Sequence, residues 1–570
     1  MPASFTSTLP TGNTLIGTID SGSRWTGTVS YNRVDTNNPG EVASFGALLP
    51  SIYVTQATGV TDLIWSQIGR SLDILRTYAN ISFELTNAAD ANYFVSDFSR
   101  PDSPNSAGIA ARPGNTPILA FNVGTWNTYS DEQQDWIVLH ELGHTLGIQH
   151  PADLPAELNF SQYTIMSSDW FTLGDEDQGL GLPRTPMALD IAFLQANYGV
   201  ASANISDTRY TLSRFVVDID GSDGVMQNGS GYVCIWDSAG TDSLTYGGVT
   251  AALLNLNAAT LLTSAMIGDL ADVIGDVVLN SPIFAGLSAF IKSEITDPVR
   301  TAGGFFSSLL QGDTREIGAF TIANGARIEA ASGGSGGDLI IGNEFANTLQ
   351  GNGGGDNLFG GSGNDSLDGG AGDDRIFGGL GADTIVDDSG ASNYLRGDEG
   401  NDLLQGGSGF HDINGNMGND TVNAGSGDSW AVGGRDNDSL SGGAGQNLVY
   451  GNLGNDTCDG GGGNDTLRGG QDSDVVLGGD GADFVSGDKG DDTMSGGAGA
   501  DIFHTFGDAG VDRVLDFSLA DGDRIQVDPG TQFTTSQIGA DTVISMTGGG
   551  QMTLVGVTLS TLSAAWIFGA

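Results

Sequence analysis

Apolar and polar residues alternate along this chain with three different spacings. In TDLIWSQIGRSLDILRTYA (61–79) the apolar positions return every three or four residues, which predicts an amphipathic helix. PILAFNV (117–123) is a short apolar run of strand type. DEQQDWIVLHELGHTLG (131–147) again reads as a helix, opened by Ser130 with Gln133 three residues on, the spacing of a capping box. Between about 206 and 332 short strand patterns surround a second helical spacing, LLTSAMIGDLADVIGDVVL (261–279), followed by FAGLSAFIKSEI (284–295). From Gly333 the spacing becomes nine, and beyond 504 strand-like alternation resumes up to LSAAWIFGA. These shifts divide the chain into residues 1–205, 206–332, 333–504 and 505–570, so the fold class expected is multi-domain: an α/β (α+β) region followed by an all-β repeat.

The nine-residue unit reads G-G-x-G-x-D-x-apolar-x, with clean copies in GGSGNDSLD (360–368), GGGGNDTLR (460–468) and GGDGADFVS (478–486). Seven units run from 333 to 395, Arg396 counts as one extra residue, and twelve more units reach 504. The sixth position is Asp in fourteen units; the others carry Asn347, Ser392, His411, Ser429 and Asn447. The eighth position stays apolar or aromatic, from Ile340, Leu349 and Leu358 to Met494 and Phe503. Glycine permits the tight turn and close backbone approach, and x-apolar-x is a strand with one inward side chain. A single unit cannot bury that side chain, so units must stack into a solenoid. Stacking brings the Asp residues into register, and oxygen-only ligands at turns favour Ca2+.

Composition sharpens this picture. Seventy acidic against 20 basic residues leave a formal charge of −50, and 91 of 570 residues are glycine. No basic face for nucleic acid can be assembled at that charge, and anionic membrane surfaces are disfavoured. The start, MPASFTSTLPTGNT, has neither a basic nor an apolar signal region, so a Sec-type signal peptide is not expected. No apolar run is long enough for an ordinary membrane-spanning helix. Cys234 and Cys458 lie in apolar strand settings and read as small buried hydrophobes, which leaves metal as the staple of the fold.

Three of the five histidines fall within HELGHTLGIQH (140–150). His140 and His144 project from one helical face and can bind one Zn2+, and Gly147 permits a sharp turn that returns His150 as a third ligand. Glu141 stands beside them as the catalytic general base rather than a ligand. Three protein ligands leave one position open, the mark of a catalytic rather than structural zinc.

HELGHTLGIQHP resembles the metzincin zinc signature, and YTIMSS (163–168) resembles the Met-turn that follows it, with Met166 beneath the zinc. Joined to the nonapeptide array, which resembles the RTX calcium β-roll, the chain is similar to the serralysins, secreted bacterial zinc metalloendopeptidases. RWTGTVSY (24–31), WDSAGTDSL (236–244), IANGARIEAASGGSGGDLIIGN (322–343) and VDRVLDFSLADGDRIQVD (511–528) carry the similarity through most of the chain. The resemblance implies a metzincin protease domain followed by an RTX solenoid. Its cofactors would be one catalytic Zn2+ and several structural Ca2+, and its substrates proteins and peptides. It also implies export by a type I (ABC) secretion apparatus reading a C-terminal signal, an extracellular location, and a proteinaceous inhibitor or surface partner as a possible associate.

By the same analogy Asp237, Ala239, Gly240 and Asp242 would bind one calcium, and Glu329, Gly334, Gly336 and Asp338 would open the first site of the roll. Asn204, Ser206 and Thr208 match a family calcium loop more weakly. Within the roll the carried-over positions are Asn347, Gly351, Gly354, Asp356, Gly361, Gly363, Asp365, Asp374, Asp383, Asp456, Asp465, Asp474, Asp483 and Asp492. The chain departs from the family in three ways. Ser168 stands where the family places a zinc-proximal Tyr, and Tyr163 has its own counterpart there. Residues about 260–315 look like an insertion, and the roll is long. These departures keep a second reading open: a calcium-stabilised surface or adhesive protein with a weak or inactive protease domain.

Overall fold

The computed structural model describes residues 4–7, 23–33, 61–86, 92–98, 108–110, 118–150, 165, 182–183, 187–198, 201, 209–213, 216–219, 226–227, 231–235, 241–248, 252–256, 308–311, 317–322, 326–563 and 565–569. The chain divides into two compact units, Met1–Ile328 and Glu329–Ala570.

In the first unit, β1 (Ser4–Ser7) pairs antiparallel with β2 (Ser23–Thr26). A five-stranded sheet is built from β3 (Val29–Arg33), β4 (Phe83–Thr86), β5 (Tyr93–Phe98), β6 (Gly108–Ala110) and β7 (Ile118–Asn122). Its order is β4-β3-β5-β7-β6, with β3, β4, β5 and β7 parallel and the edge strand β6 antiparallel to β7. The helix expected over 61–79 forms as α1 (Asp62–Tyr78), with Thr61 accepting the Ile64 amide as its N-cap. It buries Ile64, Ile68, Leu72 and Leu75, the stripe that the spacing predicts. After the short α2 (Val123–Trp126) comes α3 (Asp131–Thr145), which opens on the expected capping box. The Ser130 hydroxyl accepts the Gln133 amide, and the Gln133 side chain accepts the Ser130 amide. Such a box contributes about 1 kcal/mol to the start of a helix.

A two-residue strand, β8 (Leu182–Pro183), and α4 (Ala188–Tyr198) follow, and the remaining described elements of the unit are short strands. Ile317–Ile322 pairs parallel with Gly231–Ile235 and antiparallel with Ser308–Gln311. Ser308–Gln311 belongs to the stretch read as an insertion; the helical pattern at 261–279 and its continuation at 284–295 lie outside the described residues.

In the second unit the nonapeptides wind into a parallel β-solenoid of about eleven turns. Strands alternate between two sheets, so nine residues make half a turn and registers advance by eighteen, as in Leu349 with Leu367 and Ile340 with Leu358. The eighth positions point inward: Leu349, Leu358, Leu367, Ile376 and Ile385 are fully buried. Burying a Leu or Ile is worth about 1.5–3 kcal/mol, and the ladder bonds hold each turn on the next. Cys458 takes one such core position, and both it and Cys234 are buried. Beyond the array, Phe533–Ile538, Asp541–Met546 and Gln551–Leu554 form an antiparallel meander, and Ile567–Gly569 runs parallel to Arg524–Val527.

The register corrects one expectation. Arg396 is not the extra residue: it pairs with Phe377 and Asn414 as an ordinary strand position. The offset of nineteen arises earlier, where the amides of both Ala391 and Ser392 donate to Asp373 Oδ1. Consequently Asn393, not Ser392, takes the sixth position, and Leu395, fully buried, takes the eighth in place of Tyr394. Counting nines from Gly333 cannot reveal this, because both frames put an apolar residue at the eighth position.

Candidate functional site

Helix α3 carries His140, Glu141 and His144, and its end explains how His150 joins them. Gly147 adopts a left-handed φ of 99°. The Ile148 amide then bonds to the Gly143 carbonyl, and the Gly147 amide to that of His144, a Schellman reversal. The chain folds back, and the metal-ligating atoms of His140, His144 and His150 all lie within 4.8 Å of one another.

Two carbonyls orient the rings. His140 Nδ1 donates to Ile165 O at 2.6 Å, and His144 Nδ1 donates to Ile148 O at 2.9 Å. A carbonyl can only accept, so both neutral rings carry the proton on Nδ1 and present the Nε2 lone pair. His144 Nε2 and His150 Nε2 stand 3.1 Å apart. Ligand nitrogens at about 2.0–2.1 Å from a tetrahedral ion are separated by about 3.3 Å, so the trio suits such a cation. Burial, reinforced by His144 and His150, holds the His140 pKa well below its ordinary value, which keeps the ring neutral.

Glu141 is buried and its carboxyl is pushed up to about 8 by desolvation. A cation in the trio would favour the carboxylate and draw that value down. The side chain lies against Gly108 of β6, where a Cβ would come within 2.6 Å of Glu141 Oε1. Asp190 on α4, fully buried, accepts the amides of Ile165 and Met187 through Oδ2. Neither Gly108 nor Asp190 is visible in a motif; each lies far along the chain from the histidines it serves. Thr145, the last residue of α3, is fixed by Tyr31 and accepts bonds at its carbonyl from Trp25 and Tyr93.

Met166, Ser168 and Tyr163 lie outside the described residues, as do Asp237, Ala239, Gly240, Asn204, Ser206 and Thr208. Asp242 is described and buried.

In the solenoid the sixth positions segregate to two edges. One edge carries Asn347, Asp365, Asp383, Asp402, Asp420, Asp438, Asp456, Asp474, Asp492 and Asp512; from Asp365 onward each accepts through Oδ1 the amide of the sixth residue one turn earlier, whereas Asn347 Oδ1 accepts the Asn343 amide. The opposite edge carries Asp338, Asp356, Asp374, then Asn393, His411, Ser429 and Asn447, and then Asp465, Asp483 and Asp501. Apart from Asn347 on the first edge, the neutral substitutions are thus four successive turns of a single edge. Glu329 and Asp338 are both buried at the start of the unit, and Asp338 Oδ2 accepts the Gly334 amide. Gly336 lies against the next turn, where a Cβ on Gly354 would meet its carbonyl carbon at 2.4 Å.

Most of these aspartates use one oxygen for the ladder and leave the other inward. Oδ2 of Asp356, Asp365, Asp374, Asp383, Asp456, Asp465, Asp474, Asp483 and Asp492 is buried without a hydrogen bond. Gly351 faces such an oxygen, since a Cβ there would be 2.3 Å from Asp356 Oδ2; Gly361 and Gly363 take positive φ values of 105° and 120°. Burial raises these carboxyls: Asp356 and Asp474 to about 8, Asp365 and Asp465 to about 7, and Asp374, Asp456 and Asp492 to about 6. Rows of buried, unsatisfied oxygens beside turn carbonyls fit calcium, which would take up the lone pairs that the protein leaves unmet.

The RTX calcium-binding nonapeptide repeat family matches residues 332–367, 350–385, 389–409, 396–431, 432–467 and 468–503. A serralysin of Photorhabdus luminescens is 30% identical over 304 residues, covering 48% of this chain and 51% of the relative. A second serralysin, from Photorhabdus laumondii subsp. laumondii, is 30% identical over 303 residues with the same coverage. This chain is thus similar to the serralysins over about half its length and carries RTX calcium-binding repeats. Metalloprotease AprA of Pseudomonas entomophila is 28% identical over 231 residues, 37% of each chain. The serralysin-like chain spans about half the length of the curated relatives it matches first. Among solved structures, the extracellular lipase LipA from Serratia marcescens aligns over 67% of this chain and 65% of its own at 16% identity, with a TM-score of 0.19. No described helix of the serralysin-like chain is long and apolar enough to cross a membrane.

Proposed function

We propose that this protein is a secreted zinc-dependent endopeptidase whose RTX domain folds on calcium. The observation that carries the reading is the convergence of three imidazoles, two of them locked by carbonyls with Nε2 inward, beside the buried Glu141. His140, His144 and His150 would hold the ion and leave a ligand position open. When bound, zinc supplies Lewis acidity to the scissile carbonyl and acidity to a water. Glu141 takes the proton of the attacking water at its carboxylate and returns it to the leaving amine. Burial keeps bulk water from the carboxylate of Glu141, so the proton it takes passes to the leaving amine and not to solvent.

The roll supports export and stability in this reading. Without calcium the two columns of carboxylates repel and the glycine-rich chain loses much entropy on folding. Extracellular calcium would stabilise the wound state by mass action. The similarity to the serralysins supports passage through a type I (ABC) apparatus as an unwound chain, with proteins and peptides as substrates outside the cell.

The test is Glu141→Gln in the full chain. One zinc per chain should remain and cleavage of casein should vanish; a purified variant that still digests casein refutes the assignment. A wild-type protein that retains no zinc after reconstitution leaves the surface-protein reading in its place.

A further inference from the structure

Within residues 333–504, the turn from Asp387 to Asn393 is the one place where the register advances by nineteen and not eighteen, and the departure moves a carboxylate. Asp387 takes the register position that belongs to the first glycine of a unit, paired with Gly406 and lying one turn beyond Gly369. Where the sixth residue is Asp in its usual place, that position has no room for a side chain: a Cβ on Gly351, Gly397 or Gly415 would come within 2.1–2.3 Å of the Oδ2 of its own sixth-position aspartate. Here the sixth residue is Asn393, one residue further along than usual, and the clash is gone.

Asn393 performs half of the usual task. Its Oδ1 accepts the Asp374 amide at 2.9 Å, and its Nδ2 donates to the Ser389 carbonyl at 3.1 Å. It therefore continues the ladder but offers no inward oxygen. Asp387 supplies one. It is fully buried, and neither of its carboxylate oxygens makes a hydrogen bond. A point beside the Gly369 Cα lies 2.7 Å from Asp374 Oδ2 and 3.0 Å from Asp387 Oδ2, so two unsatisfied carboxylate oxygens of successive turns face one spot. Two buried carboxylates cannot share such a spot as anions unless a cation lies between them.

We infer that Asp387 is a calcium ligand outside the nonapeptide pattern, bridging with Asp374 a site that the loss of Asp at position 393 would otherwise have abolished. The two duties of the sixth-position aspartate, ladder acceptor and metal ligand, are here divided between Asn393 and Asp387. The inference rests on the reading of the roll as calcium-binding and adds to it a ligand that no repeat pattern contains.

Equilibrium dialysis of the full chain against a fixed free calcium concentration tests it, with far-UV circular dichroism to confirm winding. Asp387→Asn should bind one calcium fewer than the wild type, as should Asp402→Asn, which removes a sixth-position carboxylate on the opposite edge. The double variant D387S/N393D returns the carboxylate to its usual place and should restore the wild-type number; it carries the test if D387N does not wind. Equal binding by D387N and the wild type, or a missing ion in the double variant, overturns the inference. A wild-type chain that binds no calcium would instead sink the reading of the whole roll.

Discussion

Asp190 and His140 grip the two ends of one residue. The carboxylate of Asp190 accepts the Ile165 amide at 2.8 Å, and the His140 ring donates to the Ile165 carbonyl at 2.6 Å. A buried anion is thus linked through a backbone segment to the ring that the metal site depends on. Asp190→Ala strands the Ile165 and Met187 amides, at about 1–3 kcal/mol for each buried group. Zinc affinity should fall by about 10–100-fold, the usual effect of losing support behind a metal-bound histidine. Competition with a chromophoric chelator measures it, and unchanged affinity would show that Ile165 holds its place without Asp190.

Gly108 bounds the Glu141 carboxylate. Gly108→Ala puts a methyl group within 2.6 Å of Oε1, so the side chain must move or β6 must shift. A displacement of that size should reduce kcat by about 100-fold, while zinc content stays at one per chain. Casein turnover alongside metal analysis separates the two effects.

The calcium-free roll should gain stability on acidification, opposite to ordinary acid unfolding. Burial raises the folded-state pKa of Asp356, Asp387, Asp474 and Asp512 to about 8, and of Asp365, Asp402, Asp438 and Asp465 to about 7. For Asp387 desolvation leads, Asp374 adds, and the dipole of the nearby Ser389 amide, which falls short of a formed hydrogen bond, partly offsets them. Unfolded aspartates titrate near about 3.9, so folding takes up protons between that pH and about 8. Stability therefore rises as pH falls from 8 towards 4 and levels off below. Far-UV circular dichroism of the full chain in chelator should show strand content increasing as pH falls across that window; a loss of strand contradicts the carboxylate ladder.

His411 replaces a carboxylate at the heart of the interrupted edge. Its Nε2 accepts the Gly407 amide at 2.8 Å, the same type of bond that Asp338 makes to Gly334, and burial lowers its pKa. His411→Asp keeps an acceptor for that amide but adds a buried anion. Tm in chelator should drop, and the gain in Tm on adding calcium should widen; melts in both conditions decide it.

Much of this was legible in the residues themselves. Ser130 and Gln133 announced the start of α3, the spacing of His140 and His144 announced a shared face, and the eighth-position residues announced the core of the roll. What nine-residue counting could not show is that alternate units face opposite edges. Asn393, His411, Ser429 and Asn447 look scattered along the chain, yet a rise of one turn every eighteen residues places them on successive turns of a single edge. Gly108 and Asp190 were equally hidden, because their contribution is a contact across the fold and not a spacing. The misplacement of the extra residue has the same origin: only the paired amides of Ala391 and Ser392 reveal where the strand slips.

The uneven distribution of neutral turns bears on how the roll winds. Where His411, Ser429 and Asn447 stack, one flank is free of mutual anionic repulsion, whereas both flanks are crowded with charge towards either end. Coils can therefore close first in this middle stretch at scarce calcium, and each coil so formed offers a finished template to its neighbours. Winding would then spread outward in two directions from an internal starter as calcium becomes plentiful, rather than creeping from one terminus.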